Sequence, residues 1–283
     1  MSIINALTID VEDYYQVAAF FDVIKMADWH QHEHRVVQNT HRILELCDNE
    51  NIQATFFVLG WVAEKFPELT REIASRGHEV ASHGYSHQLI YEQTPDAFRE
   101  ETLRAKALLE DQIQAPVLGY RAASYSITND SLWALDILAE AGFQYDSSIF
   151  PVRHDRYGIP DTPRHPYRLT TPNGAELIEF PISTKKLINY QLPVAGGGYF
   201  RLFPYWLTRS ALHSINQHEH KPFVFYLHPW EVDPDQPRIK ASRLSRFRHY
   251  NNLKRCEQRL KQLLKQFPFG TMRSVLKEME LMA

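Results

Sequence analysis

"EVASHGYSH", residues 79 to 87, joins a short apolar run to two histidines four positions apart, His83 and His87. The run EVAS (79–82) has the length and polarity of a buried strand, and the flanking segments give it a context. Apolar runs alternate with helical patterns along the first half of the chain. ALTID (6–10) precedes RVVQNTHRILELCDNE, ATFFVLG (54–60) precedes PELTREIASRG, and EVAS precedes TPDAFREETLRAKALLED. Strand, helix, strand, helix predicts parallel strands. Thr94 followed by Pro95 reads as a helix cap and first helical residue, while Gly77 and Gly142 stand where helices should stop.

The alternation continues through GYR (119–121), NDSLWALDILAEAG, QYDSS (144–148), ELIEFPIS (176–183) and PFVFYLHPW (222–230). Seven candidate strands suit a distorted, incomplete seven-stranded (β/α) barrel better than an open sheet. Asn173 and Gly174 predict an added hairpin. The run AGGGYFRLFP (195–204) either lines a site or makes a tight loop. Leu253, Cys256, Leu260, Leu263, Leu264 and Phe267 recur every three or four residues, predicting an amphipathic C-terminal helix that packs on the barrel. The expected division is a barrel over 1–235 and a helical extension over 236–283.

The chain has 283 residues, with 31 Lys and Arg against 34 Asp and Glu, so its formal charge of −3 supplies no overall field for nucleic acid. No apolar window approaches a membrane span, and the N-terminus lacks a leader pattern. A soluble, cytoplasmic protein without membrane insertion is expected. Cys47 and Cys256 fall within helical patterns and read as buried thiols rather than a disulfide.

Spacing alone does not make a site. With 14 histidines in the chain, random placement gives roughly 0.7 pairs at this spacing. A second pair, His30 and His34, follows no strand and reads as a solvated segment. The strand-end rule for barrels separates the two. Asp10, Glu12 and Asp13 follow the first strand, His83 and His87 the third, Arg121 the fourth, Asp146 the fifth and His228 the last. All are expected at one mouth. If residues 83–87 form a helical turn, the two imidazoles share a face and can share a cation. The carboxylates of DVED supply the oxygen ligand for a divalent site with open positions. A second carboxylate, oriented by Arg121, can act as base, and His228 is the candidate acid.

At these positions the chain resembles the polysaccharide deacetylase family, the NodB homology domain of carbohydrate esterase family 4. The resemblance is carried by LTIDVEDY, ATFFVLG, GHEVASHGYSH, GYRAASYS, YDSSIFP and FYLHPWE, over about residues 5 to 232. The C-terminal FRHYNNLKRCEQRLKQLL is similar to the extension of the branch associated with exosortase and PEP-CTERM exopolysaccharide loci. The resemblance implies hydrolysis of N-acetyl groups in an amino-sugar polysaccharide, with a divalent metal ion, zinc being expected. It implies Asp10 as base, Arg121 as its orienter, His83 and His87 as ligands, and His228 as acid. The third ligand is Glu12 or Asp13, because DVED replaces the family's adjacent Asp pair. RAASY replaces the usual arginine motif, which bears on the contribution of Tyr125 to an oxyanion hole. Tyr125, Trp230 and Asp146 are expected on the substrate side, with Asp146 also the candidate tether of His228. Without a leader, such an enzyme would act on a cytoplasmic or lipid-linked precursor. Two other readings remain: a metal-free hydrolase of cyclic amides resembling allantoinases, and a carbohydrate-binding relative with an inactive site.

Overall fold

Strand β1 (Asn5–Val11) is buried along its whole length, which only a central strand covered on both faces can be. In the computed structural model it pairs in parallel with β10 (Val224–Leu227) on one edge and, on the other, with β11 (Phe269–Gly270) at its start and β2 (Thr55–Val58) further along. The path continues through β3 (Glu79–Ser82), β4 (Gly119–Tyr120), β5 (Tyr145–Asp146) and β7 (Glu176–Glu179), all parallel. An antiparallel edge strand, β6 (Tyr167–Thr170), completes the order β10-β1-β2-β3-β4-β5-β7-β6. The protein therefore has a mixed α/β fold in which a curled parallel sheet forms an incomplete barrel. The structure describes residues 3–154, 157–188 and 190–283.

All seven apolar runs are strands of that path. The Asn173–Gly174 turn connects β6 to β7, with Gly174 at φ +88°, so the hairpin uses one barrel strand and adds one edge strand. A separate ribbon, β8 (Thr184–Leu187) with β9 (Tyr190–Pro193), has no counterpart in the sequence reading.

Helices cover the sheet: α1 (Val36–Asn49), α2 (Gly60–Lys65), α3 (Pro67–Ser75), α4 (Pro95–Ile113) and α5 (Trp133–Glu140) come from the first half. From the second half come α6 (Gly197–Leu202), α7 (Tyr205–His218), α8 (Arg243–Tyr250), α9 (Leu253–Gln266) and α10 (Met272–Glu278). Thr94 caps α4 by accepting from the Ala97 amide, ahead of Pro95 in the first turn. The apolar stripe predicted on α9 is buried, Cys256 included, and both cysteines are free. Among the described residues no helix is long and apolar enough to cross a membrane.

The glycine run makes a close approach. A side chain at Gly196, where φ is +136°, would place its Cβ 1.9 Å from the Tyr226 carbonyl oxygen. Only glycine lets this loop bridge to β10 and start α6 beside it.

Candidate functional site

Three ligand-type side chains meet at the C-terminal ends of β1 and β3. Ligand atoms of Glu12, His83 and His87 lie within 4.8 Å of one another, and all three residues are buried. His83 Nδ1 donates to the Arg121 carbonyl at 2.8 Å, which fixes the tautomer and leaves Nε2 as the ligand atom. The segment 83–87 is not the expected helical turn. Gly84 (φ +71°) and His87 (φ +57°) adopt left-handed backbone, and the loop folds back so that its carbonyls at Gly84 and Tyr85 accept from Gly60 and Trp61. The two rings still come to 5.2 Å, through loop geometry rather than helical periodicity. A histidine held at positive φ is a strained conformation, sustained by the packing around it.

Asp10 lies on β1, two residues before Glu12, which directly follows the strand. Its Oδ1 accepts from Arg121 Nη1 at 2.7 Å, and the fully buried guanidinium is fixed further by Thr8 Oγ1 at 2.8 Å and Ser147 Oγ at 3.0 Å. Asp10 Oδ2 lies 3.9 Å from His228 Nε2. His228 Nε2 is also 3.6 Å from Glu12 Oε1. Its Nδ1 is 2.7 Å from Glu231 Oε1, and its backbone amide donates to the same oxygen. Burial disfavours charge on His228, yet Glu12 and the bond to Glu231 outweigh it and hold the imidazole up at about 9. Burial acts on Glu12 in the opposite sense from its neighbours, and His87 and His228 prevail, keeping it well below the usual carboxylate range. Burial pushes His83 down to about 4, so it stays neutral and able to ligate.

Glu231 and Arg201 were not singled out from the sequence. Glu231 is completely buried and accepts from Arg201 Nε at 2.5 Å. Arg201 donates onward to the carbonyls of Arg248, His249 and Asn251 at 3.1, 2.7 and 2.9 Å. The visible signal was the spacing in HPWE: Pro229 opens a turn and a glutamate follows the histidine at three residues, which is the pattern of a capping box.

Other expected site residues lie elsewhere. Asp13 does not reach the cluster. Its Oδ2 accepts from the amides of Arg35 and Val36 at 2.7 and 3.0 Å and its Oδ1 from Tyr14, so it caps the entry to α1. Asp146 does not tether His228. It is fully buried, bonded to Ser148 and paired in register with Glu179 of β7. Tyr125 and Trp230 line the cleft with the cluster. Trp230 is only 5% exposed. Its Nε1 donates to Glu12 Oε1 at 3.1 Å, and its ring stacks with His228 and His249, so it works inside the protein rather than as an open platform. The Tyr125 amide donates to the Ala122 carbonyl at 3.1 Å and is already occupied. Of the second histidine pair, His30 is exposed and His34 contacts the Tyr15 hydroxyl at 2.7 Å.

Residues 15–145 match the model of the polysaccharide deacetylase family, and 147–277 match Domain of unknown function (DUF3473). Residues 15–145 therefore carry a polysaccharide deacetylase domain. It is 37% identical over 70 residues to a peptidoglycan-N-acetylglucosamine deacetylase of Bacillus cereus, covering 25% of this chain and 26% of that protein. A chitooligosaccharide deacetylase of Bradyrhizobium is 30% identical over 97 residues, covering 34% and 42% respectively. The chain thus spans less than half the length of these relatives. A solved structure from Mycobacterium smegmatis, provisionally named a polysaccharide deacetylase, superposes with a TM-score of 0.66 over 100% of this chain and 92% of that one, at 19% identity. That likeness shows the shared fold.

Proposed function

We propose that the protein hydrolyses N-acetyl groups of an amino-sugar polysaccharide in a metal-dependent reaction, an exopolysaccharide or its precursor being the substrate class. The observation that carries this reading is the convergence of Glu12, His83 and His87 between an Arg121-oriented Asp10 and a Glu231-held His228.

The residues fit a cation. Glu12 Oε2 lies 2.6 Å from His87 Nε2 without forming a hydrogen bond, and His87 Nδ1 is buried without a partner as well. Buried polar atoms are rarely left so. Two imidazoles and one carboxylate match a catalytic zinc site with open positions. When bound, such an ion would act as a Lewis acid toward the amide carbonyl and activate water.

The side chains do the rest. Asp10 Oδ1 is fixed by Arg121, which leaves Oδ2 at the cleft to take a proton from the attacking water. The water oxygen bonds to the acyl carbon, the carbon–nitrogen bond breaks, and the leaving amine takes a proton from His228 Nε2. The carboxylate of Glu231 on Nδ1 favours the protonated imidazole that gives this proton. Glu231 keeps Nε2 turned toward the cleft by accepting from Nδ1. The products are free acetate and an amino sugar.

The test is metal content of the purified protein together with acetate release from an N-acetylglucosamine oligomer. One bound ion and acetate release, both lost in a His83→Ala, His87→Ala variant, are expected. A metal-loaded protein that releases no acetate from amino-sugar oligomers would overturn the reading.

A further inference from the structure

The net charge of −3 conceals an uneven distribution. Between Asp235 and Glu257 the chain has no carboxylate side chain and seven Lys or Arg. Five of these, Arg238, Lys240, Arg243, Arg246 and Arg248, crowd into eleven residues, and all five are exposed. Among the described residues none of the five forms an ion pair. Charge in salt solution is felt over roughly 10 Å, so an opposing surface that meets this face responds to the cluster and not to the average over the molecule.

The fold presents the cluster on one projecting unit. Helix α8 is anchored at its C-terminal end, where buried His249 stacks on Trp230 at 4.1 Å and packs against Phe20 at 4.8 Å. Arg201 holds the carbonyls of Arg248, His249 and Asn251 there. The segment before the helix is tied to the same end. Gln236 Oε1 lies 2.6 Å from His249 Nε2, the Ile239 amide donates to the Tyr250 hydroxyl at 2.8 Å, and Arg238 sits over the Tyr250 ring at 4.2 Å. The rest of α8 stands outward. Leu244 and Phe247, one turn apart on one face, are 57% and 56% exposed, with Arg243, Arg246 and Arg248 around them.

Unpaired cations ringing adjacent bare apolar side chains match an anionic bilayer. The cations meet the headgroups, and Leu244 and Phe247 reach the boundary with the acyl chains. A soluble polyanion would satisfy the cations and leave the apolar pair in water. Phe247 and Arg248 also form, with α6, the wall of a cavity of about 400 Å³ that opens beside the cleft of the cluster, Ser124 and Tyr226 lining both. A chain docked through α8 therefore has this opening near the bilayer.

We propose that α8 and the segment before it form a docking face for an anionic lipid bilayer, on which the protein sits peripherally. The inference does not draw on the deacetylase reading and stands whatever reaction the cluster performs.

The experiment is co-sedimentation of the full chain with vesicles of phosphatidylcholine alone and of phosphatidylcholine mixed with phosphatidylglycerol, at low and high salt. Binding to the mixed vesicles, weaker at high salt, and little to the neutral ones is expected. An Arg243→Gln, Arg246→Gln variant should bind about fivefold less tightly for each charge removed. A Leu244→Ser, Phe247→Ser variant keeps every charge and should bind about tenfold less tightly. All four positions are exposed, so melting temperature should hold in both variants. No binding to the mixed vesicles, equal binding to both kinds, or binding unaltered in the charge variant overturns the proposal. Binding that falls in the charge variant and is untouched in the apolar one also overturns it, and assigns the face to a soluble polyanion instead.

Discussion

The two halves of the chain meet at the site with different equipment. The first brings groups suited to hold an ion: Glu12 from β1, and His83 and His87 from the end of β3, on strands buried among parallel neighbours. The second brings His228 with its Glu231–Arg201 support and the wall of the adjoining cavity. The rigid sheet sets the ligand cluster, while the acid is held by a relay of side chain and backbone contacts that runs to α8. The contrast places the groups proposed to hold the ion in one region and the proposed proton donor with its support in the other.

The sharpest way to break this contrast is to remove a ligand. Glu12→Gln should abolish stoichiometric metal and with it acetate release, read by metal analysis and by assay. A fully metal-loaded Glu12→Gln protein would mean the first half does not hold the ion as proposed. Next, His228→Ala should lower kcat by about 10²–10⁴-fold, the usual worth of a general acid, with metal content unchanged. Loss of metal there would erase the division between the halves. Glu231→Gln keeps a hydrogen-bond acceptor for His228 but removes the charge. Its kcat should fall about tenfold to a hundredfold, the scale found for supporting partners of site histidines, while KM stays near its original value. A change in KM alone would make Glu231 structural only.

Stability effects come last. Asp13→Ala should retain metal and lose about 1–3 kcal/mol in denaturant unfolding, since it strips acceptors from buried amides at the start of α1. Asp146 gives a smaller, pH-dependent effect. Burial raises it to about 6 from an ordinary 3.8, so the native state holds a proton that the unfolded chain releases between those values. Stability therefore falls as pH rises from about 4 to about 6. Asp146→Asn should make that fall shallower in a melting-temperature series by a few degrees, with Glu179, also raised by burial, retaining its own share. An unchanged slope would show that Asp146 does not titrate there.

The strands were legible because parallel strands covered on both faces must be short apolar runs, and seven such runs stand out. The strand-end rule then brought Asp10, Glu12, His83, His87 and His228 to one mouth. It failed for Asp13 and Asp146, because position at a strand end does not say which way a carboxylate turns, and nearby amides and hydroxyls claimed both. Periodicity misled at residues 83–87, where two left-handed residues bend a loop that a helix would have matched in spacing. Arg201 was invisible for another reason. Its partners include three backbone carbonyls some fifty residues on, and carbonyls leave no mark in a sequence. The β8–β9 ribbon, largely exposed in KKLI and YQ, carries no alternation to announce it.

The position of β1 also orders the life of the molecule in time. It precedes the other strands of the sheet in the sequence, yet one edge waits for residues 224–227 and the start of the other for residues 269–270. A ribosome that has passed residue 145 has delivered each proposed ligand but not His228, Glu231 or Arg201. Pairing of such distant segments is the slow kind. A chain that stops short of residue 228 lacks the proposed proton donor, so the proposed hydrolysis has to wait until the far end of the chain has paired with the near one.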